Sequence, residues 1–372
     1  MDETGDLQAV RDEIDSLDQQ IQHLLNQRAH CAQQVAHIKM AAVEAAHSDG
    51  QTPDEVQFYR PEREAQVLRR IMERNEGPLP AANVAHIFRE VMSACLALEK
   101  PLEVAYFGPA GTFTQAAAIK HFGHAATCKP HTTISEVFSQ VETSQCHYGV
   151  VPVENSTEGM VSHTLDNFLD SPLKICGEVE MRIHHHLLVA PNSGEADVLR
   201  ICAHEQALAQ CRHYLNKHWP TAEQLAVSSN GEAARLAAEG NGVAAIAGDM
   251  AAELYGLDKL ASHIEDSADN TTRFLIISRE EADPSGFDKT SVVVSSRNKP
   301  GALFTLLEPF HKNGVSLTRI DTRPSRTETW AYVFFIEFEG HVRDPNISTI
   351  LRTLEEQSIL LKPLGSYPRA VL

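Results

Sequence analysis

The sequence lacks the features of a membrane-bound or exported chain. No apolar run is long enough to cross a bilayer, and the first ten residues, MDETGDLQAV, are acidic and polar, unlike a secretory or transit segment. Seven cysteines are scattered without a CxxC pair or an even framework. We therefore expect a cytoplasmic protein with no membrane partner and with free, mostly buried thiols.

Positive charge is also scarce. Lysine and arginine number 32 against 50 aspartates and glutamates, which gives a formal charge of −18. This balance argues against nucleic acid or an anionic membrane as a partner. It also disfavours anionic substrates, so we expect any site for one to gather its cations locally. The 372 residues contain no internal repeat or low-complexity tract and suffice for two or three domains.

The N-terminal segment contains no glycine or proline between residues 6 and 46. Its apolar residues are spaced alternately by three and four, which predicts a long helix packed against another helix. They are Leu7, Val10, Ile14, Leu17, Ile21, Leu24, Cys31, Val35 and Ile38. Gly50 to Pro53 should end this helix. Shorter helices are predicted from Pro61 to about Asn75 and from Ala81 to Leu98. Two short helices cannot cover the whole length of the first one, so this segment is not expected to be a monomer.

Arg28 interrupts the apolar spacing of the first helix. Its stem could pack while the guanidinium reaches water, or the side chain could bind a ligand. Lys39 lies eleven residues further on, about 16 Å along the same face, so both side chains could converge on one small dianion. Arg11 lies about 25 Å away in the other direction. It could contribute only from an antiparallel copy, which suggests an interlocked dimer with two shared sites.

Arg11, Arg28, Lys39 and the pair Arg63-Glu64 within YRPEREAQVL together resemble the all-helical chorismate mutase family. The resemblance covers residues 6 to 99. It implies that Arg28, Lys39 and the partner subunit's Arg11 hold two carboxylates and the ether oxygen of the substrate. Arg63 would support the site and Glu64 would meet the ring hydroxyl. The pericyclic reaction then needs only orientation and electrostatic stabilisation.

Three positions depart from that family pattern. Arg60 stands where the family often has an acid, Cys95 where it often has serine, and Glu99 where glutamine often faces the ether oxygen. Arg60 and Cys95 remain candidate substrate-binding residues, and Glu99 a candidate catalytic one. A glutamate donates a hydrogen bond only when protonated. Mutase activity should therefore fall as pH rises, unless burial lifts the pKa of Glu99 above its reference of about 4.3.

After the Lys100-Pro101 linker, short apolar strands alternate with helical stretches, which predicts an α/β fold with ligands at strand ends and helix N-termini. The predicted strands are Val104–Phe107, Tyr148–Val153, His185–Val189, Val243–Ala247 and Arg273–Ser278. The predicted helices are Gln115–Phe122, Ile134–Glu142, Ala207–Lys217 and Gly231–Glu239.

Three motifs in this segment carry its chemistry: GPAGTFT at 108–114, VPVENSTEG at 151–159 and NTTRF at 270–274. Singly they could be a tight turn, a helix cap and a strand start. Together with HEQALAQC at 204–211 and Ser229-Asn230, they resemble the prephenate dehydratase family over roughly residues 103 to 280. The resemblance implies two α/β lobes around a cleft, similar to periplasmic binding proteins, with the strands near His185–Val189 and Arg273–Ser278 crossing between the lobes.

The dehydratase resemblance also implies site residues. The reaction removes carbon dioxide together with the ring hydroxyl, so it needs a proton donor, a partner for the retained carboxylate and a less polar place for the departing one. Thr272 would be the donor by hydrogen bonding within a network, Arg273 the carboxylate partner, and Phe274 would lie beside them. Candidate substrate-binding residues are Thr114, Glu154, Asn155, Ser156, Gln210 and Ser229.

Three consecutive histidines, His184, His185 and His186, raise the question of a metal. Neighbours on a strand alternate faces, so at most two of them could share a site. No other residues have ligand spacing. We therefore expect no metal and no cofactor, and we expect His185 to face outward or to cap a crossing strand.

From Lys289 onward the predicted order is βαββαβ, the ferredoxin-like arrangement, preceded by a hinge at residues 283–286. Its loops, KPGALF at 299–304, NGV at 313–315 and DTRP at 321–324, resemble those of ACT regulatory domains, particularly in phenylalanine-inhibited dehydratases. Such domains pair between subunits. The implied amino-acid site comprises Gly301, Ala302, Leu303, Phe304, Asn313, Gly314, Val315, Asp321, Arg323 and Pro324.

The sequence therefore predicts three domains, at residues 1–99, 102–281 and 288–372. They would form a bifunctional enzyme of phenylalanine biosynthesis, inhibited by phenylalanine, that converts chorismate to prephenate and then to phenylpyruvate as a homodimer or a higher oligomer. One alternative is a non-catalytic, amino-acid-responsive binding protein, which would not need Thr272 or the mutase cations. Another is a dehydratase acting on arogenate, although a fused mutase favours its own product.

Overall fold

The computed structural model describes residues 3–48, 59–295, 300–324 and 332–372. The end of the first helix predicted at residues 50–53 and the start of the first C-terminal loop at Lys299 lie outside these ranges. Contacts group the chain into two compact units. One comprises residues 1–60, 71–102 and 122–127, and the other residues 61–70, 103–121 and 128–372.

The N-terminal segment is helical, as predicted. Helix α1 spans Glu3–Ser48, α2 Pro61–Glu73 and α3 Ala81–Glu99. Helix α1 packs against α3, where Ala36 and Ala85 are buried and Arg28 Nη1 donates to Val91 O at 3.5 Å. None of the helices in the described part of the chain combines the length and the apolar character that a membrane crossing requires.

The apolar stripe of α1 is uncovered in the single chain. Six of its side chains, over a stretch of about 25 Å of helix, are 49–61% exposed. They are Leu7, Val10, Ile14, Leu17, Ile21 and Leu24. A helix that forms on this spacing normally buries the stripe against another element, and none of the residues described in this chain does so.

The first α/β lobe is built on a six-stranded sheet ordered β2-β1-β3-β11-β5, with β4 paired to β3. Its strands are β1 Glu103–Phe107, β2 Thr127–His131, β3 Tyr148–Asn155, β4 Gly159–Met160, β5 Lys174–Arg182 and β11 Thr271–Ser278. Its helices are α4 Phe113–Phe122, α5 Ile134–Glu142 and α6 Ser162–Asp170. Strand β11 runs antiparallel between β3 and β5, so it lies inside the sheet although it comes last along the chain.

The second lobe has a five-stranded sheet ordered β10-β6-β9-β7-β8. Its strands are β6 His186–Val189, β7 Arg200–His204, β8 Glu223–Val227, β9 Val243–Ala247 and β10 Asp258–Ala261. Its helices are α7 Glu205–Gln210, α8 Arg212–His218, α9 Asn230–Ala238 and α10 Asp249–Tyr255. Residues 183–185 and 262–270 cross between the lobes, which confirms the two-lobed architecture. The strands expected to cross do not do so, because β6 lies wholly in the second sheet and β11 wholly in the first. The single helix predicted at 207–217 is two helices that meet at Cys211.

The C-terminal segment has the predicted βαββαβ order: β12 Asp288–Ser295, α11 Ala302–Lys312, β13 Leu317–Pro324, β14 Tyr332–Glu339, α12 Pro345–Gln357 and β15 Leu360–Pro368. The sheet order β13-β14-β12-β15 is that of a ferredoxin-like domain. On β12, Val292 and Val294 pack under the two helices. Val293 faces the other way, into one core with Ile175 and Leu275 of the first lobe, as a two-residue period requires. The C-terminal sheet is therefore packed directly on the first lobe.

Candidate functional site

A cavity of about 250 Å³ lies in the cleft between the two lobes. It is lined by residues from all the predicted dehydratase motifs. They include Thr112, Phe113, Thr114, Asn155, His185, His204, Gln206, Gln210, Ser229, Asn230, Thr272 and Phe274. The cleft thus brings together residues that are up to 167 positions apart in the sequence (Phe107 and Phe274).

Thr272 is held at the cavity by Asn155. The Nδ2 group of Asn155 donates to Thr272 Oγ1 at 2.8 Å and to Asn270 Oδ1 at 2.9 Å, while its own Oδ1 accepts from the backbone N–H of Thr157 at 2.9 Å. Because Thr272 Oγ1 accepts this hydrogen bond, its own O–H is available to donate. The arrangement suits Thr272 as a hydrogen-bond donor toward a molecule in the cleft.

The hydrogen-bond chain continues through the two segments that cross between the lobes, residues 183–185 and 262–270. Asn270 Nδ2 donates to Gln210 Oε1 at 3.0 Å, and His185 Nε2 lies 2.9 Å from the same oxygen. Since that oxygen can only accept, the network assigns the proton of His185 to Nε2. His185 Nδ1 is then an acceptor, buried and without a hydrogen-bond partner among the described residues.

His185 is a functional candidate that the sequence analysis missed. The expectation that it faces outward is wrong, because the side chain is only 2% exposed and packs edge-on against Phe113 at 5.5 Å between ring centroids. Burial lowers the pKa of His185, which favours the neutral ring. The alternation of side chains along residues 184–186 indicated that His185 faces away from His184 and His186. The neighbouring sequence did not show that His185 faces the cleft.

Among the described residues that line the cavity there is no lysine or arginine, so the cations expected for an anionic ligand are not gathered there. Helices α4, α7 and α9 instead begin at the cavity, and Ser229 caps α9 by accepting from Glu232 N–H at 3.0 Å. Free backbone amides at helix N-termini bind carboxylates. Gly231 of α9 approaches the Ala110 carbonyl so closely that a side chain would collide with it, so glycine lets the two lobes meet.

Arg273 does not lie in the cleft. Successive side chains on β11 point to opposite faces, so Thr272 and Phe274 reach the cavity while Arg273 faces the C-terminal sheet. Its Nε donates to Glu178 at 2.8 Å, and its Nη2 bonds Glu337. The carboxylate-binding role expected for Arg273 does not fit this placement, because the guanidinium already pairs with two carboxylates and is 6% exposed.

Lys289 and Tyr367 complete this buried group around Arg273, which we call the Arg273 cluster. Lys289 Nζ lies 3.0 Å from Glu178 and 3.4 Å from Glu337, and Tyr367 Oη donates to Glu337 at 3.0 Å. Burial would raise the pKa of Glu337, but the charges of Arg273 and Lys289 outweigh that effect and bring it to about 2. Two cations therefore balance two carboxylates inside the protein.

Other predicted dehydratase residues are distributed around the cleft. Thr114 is 5% exposed and lines the cavity. Glu154 does not line it, but pairs with Arg319 of β13. Ser156 accepts from Thr271 N–H at 3.0 Å through its hydroxyl. Glu154 and Ser156 thus hold neighbouring segments in place around the cleft.

The helical candidates lie on α1, α2 and α3. Arg28 and Lys39 are half-buried on α1 and Arg11 is exposed on it; Arg60 is exposed, and Cys95 is buried on α3. At the start of α2, Arg63 is exposed and Glu64 half-buried.

Glu99, at the end of α3, lies in the electrostatic field of Arg28 and Lys39. Burial raises the pKa of Glu99, although these two positive charges oppose the shift. The buried environment therefore favours the protonated form that can donate a hydrogen bond.

The C-terminal candidates lie at two places. Gly301 caps α11 in the left-handed conformation, with φ 81°, while the neighbouring Leu303 and Phe304 are 40% and 68% exposed. Arg323 instead binds Asp166 of α6, with Nη2–Oδ1 at 3.0 Å, and so attaches β13 to the first lobe. The rest are Ala302 in the first turn of α11; Asn313, Gly314 and Val315 after it; and Asp321 and Pro324 on β13.

Comparison with protein families matches the chain in three consecutive parts. Residues 10–100 match chorismate mutase type II, residues 104–282 match prephenate dehydratase, and residues 290–356 match the ACT domain. Two curated proteins described as bifunctional chorismate mutase/prephenate dehydratase match along their full length and that of this chain. That of Stutzerimonas stutzeri is 57% identical and that of Pseudomonas aeruginosa 56% identical.

Two solved structures share the dehydratase and regulatory architecture. Prephenate dehydratase from Arthrobacter aurescens, in complex with L-Phe, is 36% identical with a TM-score of 0.67, over 72% of this chain and 90% of that one. A protein described as a novel type of quorum-quenching acylase is 29% identical, also with a TM-score of 0.67, over 72% of this chain and 98% of that one. Because one fold can host different activities, the residues in the cleft must decide between them.

The Arg273 cluster makes stability depend on pH. In Glu337→Gln, Arg273 and Lys289 lose a charged partner, so we expect a loss on the order of 3 kcal/mol at pH 7. A depressed pKa stabilises the folded state above the unfolded value of about 4.3, and this contribution disappears as pH falls toward about 2. The difference in thermal midpoint between variant and native protein should therefore shrink over that range.

The matched control is Glu339→Gln on the same strand, because Glu339 forms an exposed ion pair with Arg369 at 3.0 Å. Exposed pairs contribute about 0–1 kcal/mol, so this variant should unfold close to the native protein at every pH. Equal effects of the two substitutions would contradict a special role for the cluster.

Proposed function

Because the chain belongs to the bifunctional chorismate mutase/prephenate dehydratase family, we propose a residue-level account of how it carries out its two reactions. The enzyme rearranges chorismate to prephenate and converts prephenate to phenylpyruvate. The observation that carries the dehydratase account is the Thr272 hydroxyl, held by Asn155 at the cleft with its proton available. A non-catalytic amino-acid sensor would not require a hydroxyl group held in this way.

In the dehydratase step, prephenate loses its ring carboxylate as carbon dioxide and its ring hydroxyl as water. The electron pair of the breaking carbon–carboxylate bond enters the ring, and the carbon–hydroxyl bond breaks as the ring becomes aromatic. Thr272 donates a hydrogen bond to the departing hydroxyl oxygen, and one proton from solvent completes the water molecule. Because threonine is a poor acid, it stabilises the charge that builds on this oxygen rather than losing its proton outright.

The carboxylates of prephenate are held in the cleft by backbone amides and hydroxyl groups. The N-termini of α4 and α9 face the cavity from opposite lobes, and Thr114 and Ser229 lie beside them. Phe113 and Phe274 supply the less polar surface that favours loss of a carboxylate as neutral carbon dioxide. This division explains how a chain of charge −18 binds a dianion without a lysine or arginine at the cavity.

In the mutase step, Arg28 and Lys39 of α1 hold the substrate, and Glu99 donates to the ether oxygen in its protonated form. The partner subunit's Arg11 completes the site across a dimer, and Arg63 and Glu64 act from the first turns of α2. The exposed apolar stripe of α1 supports the dimer, because six half-exposed side chains in register are a surface that a second copy would cover.

We also assign phenylalanine as an effector bound at the ACT domain, around Gly301 and the exposed Leu303 and Phe304. The solved relative that contains L-Phe supports this assignment. Strand β11 offers a direct route for inhibition, because it presents Thr272 to the cleft and Arg273 to the regulatory sheet. Seven free cysteines are compatible with a reducing cytoplasmic location.

Replacing Thr272 tests the dehydratase account. Thr272→Val keeps the shape of the side chain but removes the hydroxyl, so kcat for phenylpyruvate formation should fall about 10²- to 10³-fold. Thr272→Ser should retain most activity. Rates are measured from added prephenate, and chorismate turnover by the same samples is the internal control. A Thr272→Val enzyme with native dehydratase rates would refute the assignment.

The raised pKa of Glu99 should appear in the pH dependence of the mutase. Only the protonated carboxyl donates, so kcat/KM for chorismate should fall as pH rises through that pKa, which burial has moved upward. Glu99→Gln donates at every pH and should abolish this fall. Superimposable profiles for native enzyme and variant would rule out the role of Glu99 as a proton-dependent donor.

The dimer is tested at the centre of the α1 stripe. Leu17→Asp places a charge on the stripe and should lower the molar mass seen by light scattering, with loss of mutase activity because Arg11 must come from a partner. Gln19→Asp, on the opposite side of the same helix turn, should change neither. An unchanged mass for Leu17→Asp would mean that another surface forms the oligomer.

A further inference from the structure

Three potential metal ligands meet where the chain crosses between the lobes. His184 lies in the first crossing segment, residues 183–185, and His263 and Glu265 lie in the second, residues 262–270. His184 Nδ1 lies 2.8 Å from Glu265 Oε1 and 3.0 Å from His263 Nδ1, while His263 Nδ1 lies 3.8 Å from Glu265 Oε1. In the described part of the chain this is the one group of histidine and acidic residues arranged to hold a metal ion.

The three atoms are spaced as ligands of a single ion. A triangle with these sides has a circumscribed radius of about 1.9 Å, so a point just outside its plane is about 2.0–2.1 Å from all three atoms, the bond length of Zn²⁺ to nitrogen and oxygen ligands. The three atoms are therefore close enough together to share an ion.

Protons alone satisfy this group poorly. If His184 Nδ1–H donates to Glu265, it cannot also accept from His263, although the two ring nitrogens are 3.0 Å apart. One of the two short contacts of His184 Nδ1 is then left without a hydrogen bond. A cation at the centre would use a lone pair of each of the three atoms.

The surroundings hold the three ligands in place. The second oxygen of Glu265 accepts from His185 N–H at 2.9 Å, and the Glu265 side chain is only 4% exposed. The backbone of His263 has φ 54°, and its N–H donates to His186 Nδ1 at 3.3 Å. Residues held in such strained conformations are concentrated at functional sites, and supporting hydrogen bonds of this kind orient metal ligands.

We propose that His184 Nδ1, His263 Nδ1 and Glu265 Oε1 form a binding site for a divalent transition-metal ion such as Zn²⁺. Two imidazoles and one carboxylate suit such ions, and the 61% exposed side chain of His263 leaves a way in from solvent. The ion joins the first crossing segment, residues 183–185, to the second, residues 262–270. It therefore restrains the motion of the two dehydratase lobes relative to each other. The proposed site is separate from the cleft, because His185 faces the cleft and its neighbour His184 faces the other way.

This proposal departs from the sequence-based expectation that the chain holds no metal. Only one of the three adjacent histidines is a ligand, and the other two ligands lie about 80 residues further along the chain. His184 and His186 both face His263, at 4.5 and 5.3 Å between ring centroids, as alternation predicted. His186 supports the site instead of binding the ion.

The test uses full-length protein without a histidine tag, freed of metal by a chelator and titrated calorimetrically with Zn²⁺. We expect one strong site per chain. His263→Asn, which tolerates the left-handed backbone, and Glu265→Gln, which keeps the acceptor for His185 N–H, should each weaken it at least tenfold. The control is His213→Asn, since His213 is 86% exposed on α8, and its affinity should equal that of the native chain.

Two further readings separate metal binding from misfolding. Zn²⁺ should raise the thermal midpoint of the native chain and of His213→Asn but not of His263→Asn, whose midpoint without metal shows whether it is folded. Bound Co²⁺ should give a visible absorption band that the two ligand variants lack. Absence of a strong site in the native chain, or a site unchanged by both ligand substitutions, would overturn the proposal.

Discussion

The structure depends most on the buried pairing of Arg273 with Glu178 and Glu337. Arg273 on β11 and Glu178 on β5 belong to neighbouring strands of the first lobe, whereas Glu337 on β14 belongs to the C-terminal sheet. With Lys289 the charges balance, and Tyr367 accepts from Arg273 at 3.1 Å. Removing one partner from such a group leaves a buried charge uncompensated, which typically costs about 3–5 kcal/mol. The regulatory sheet is thereby held to β11 and β5 of the first lobe.

In the account proposed above, that constraint places the regulatory contact and the catalytic hydroxyl one residue apart. Thr272 faces the cleft and Arg273 faces the regulatory sheet because neighbouring side chains on a strand alternate. A shift of the ACT sheet would act on the cluster first and would move the strand that positions the Thr272 hydroxyl. The docking contacts beside it, between Arg319 and Glu154 and between Arg323 and Asp166, attach the same sheet to segments that frame the cleft. Inhibition therefore needs no long chain of intermediate contacts.

The sequence predicted the fold well where periodicity was strong. The long helix α1 and the βαββαβ order follow from spacing, whereas the cleft residues Thr272 and Phe274 were expected only from the resemblance to prephenate dehydratases. It failed for strands such as β8, whose residues 223–227 are largely exposed and lack an apolar pattern, and for β2, which contains a proline.

The placement of Arg273 outside the cleft was not foreseen, for a physical reason. A motif shows which residues matter together, but it does not show which face of a strand each one occupies or what packs on the other side. Glu178 and Glu337 are 95 and 64 residues away from Arg273, so their pairing could not be read from local sequence. The same holds for His185, whose buried contacts with Gln210 and Phe113 come from distant segments, and for His263 and Glu265 beside His184.

The most direct test of this account is the dehydratase kinetics of Arg273→Lys over a range of L-phenylalanine concentrations. Lysine keeps the charge but loses the planar fork that bonds two carboxylates. If Arg273 faces the regulatory sheet, KM for prephenate should stay within about threefold, less than about 0.7 kcal/mol, while phenylalanine inhibition weakens clearly. A large rise in KM with unchanged inhibition would contradict the account and return Arg273 to the cleft as the partner of the substrate carboxylate.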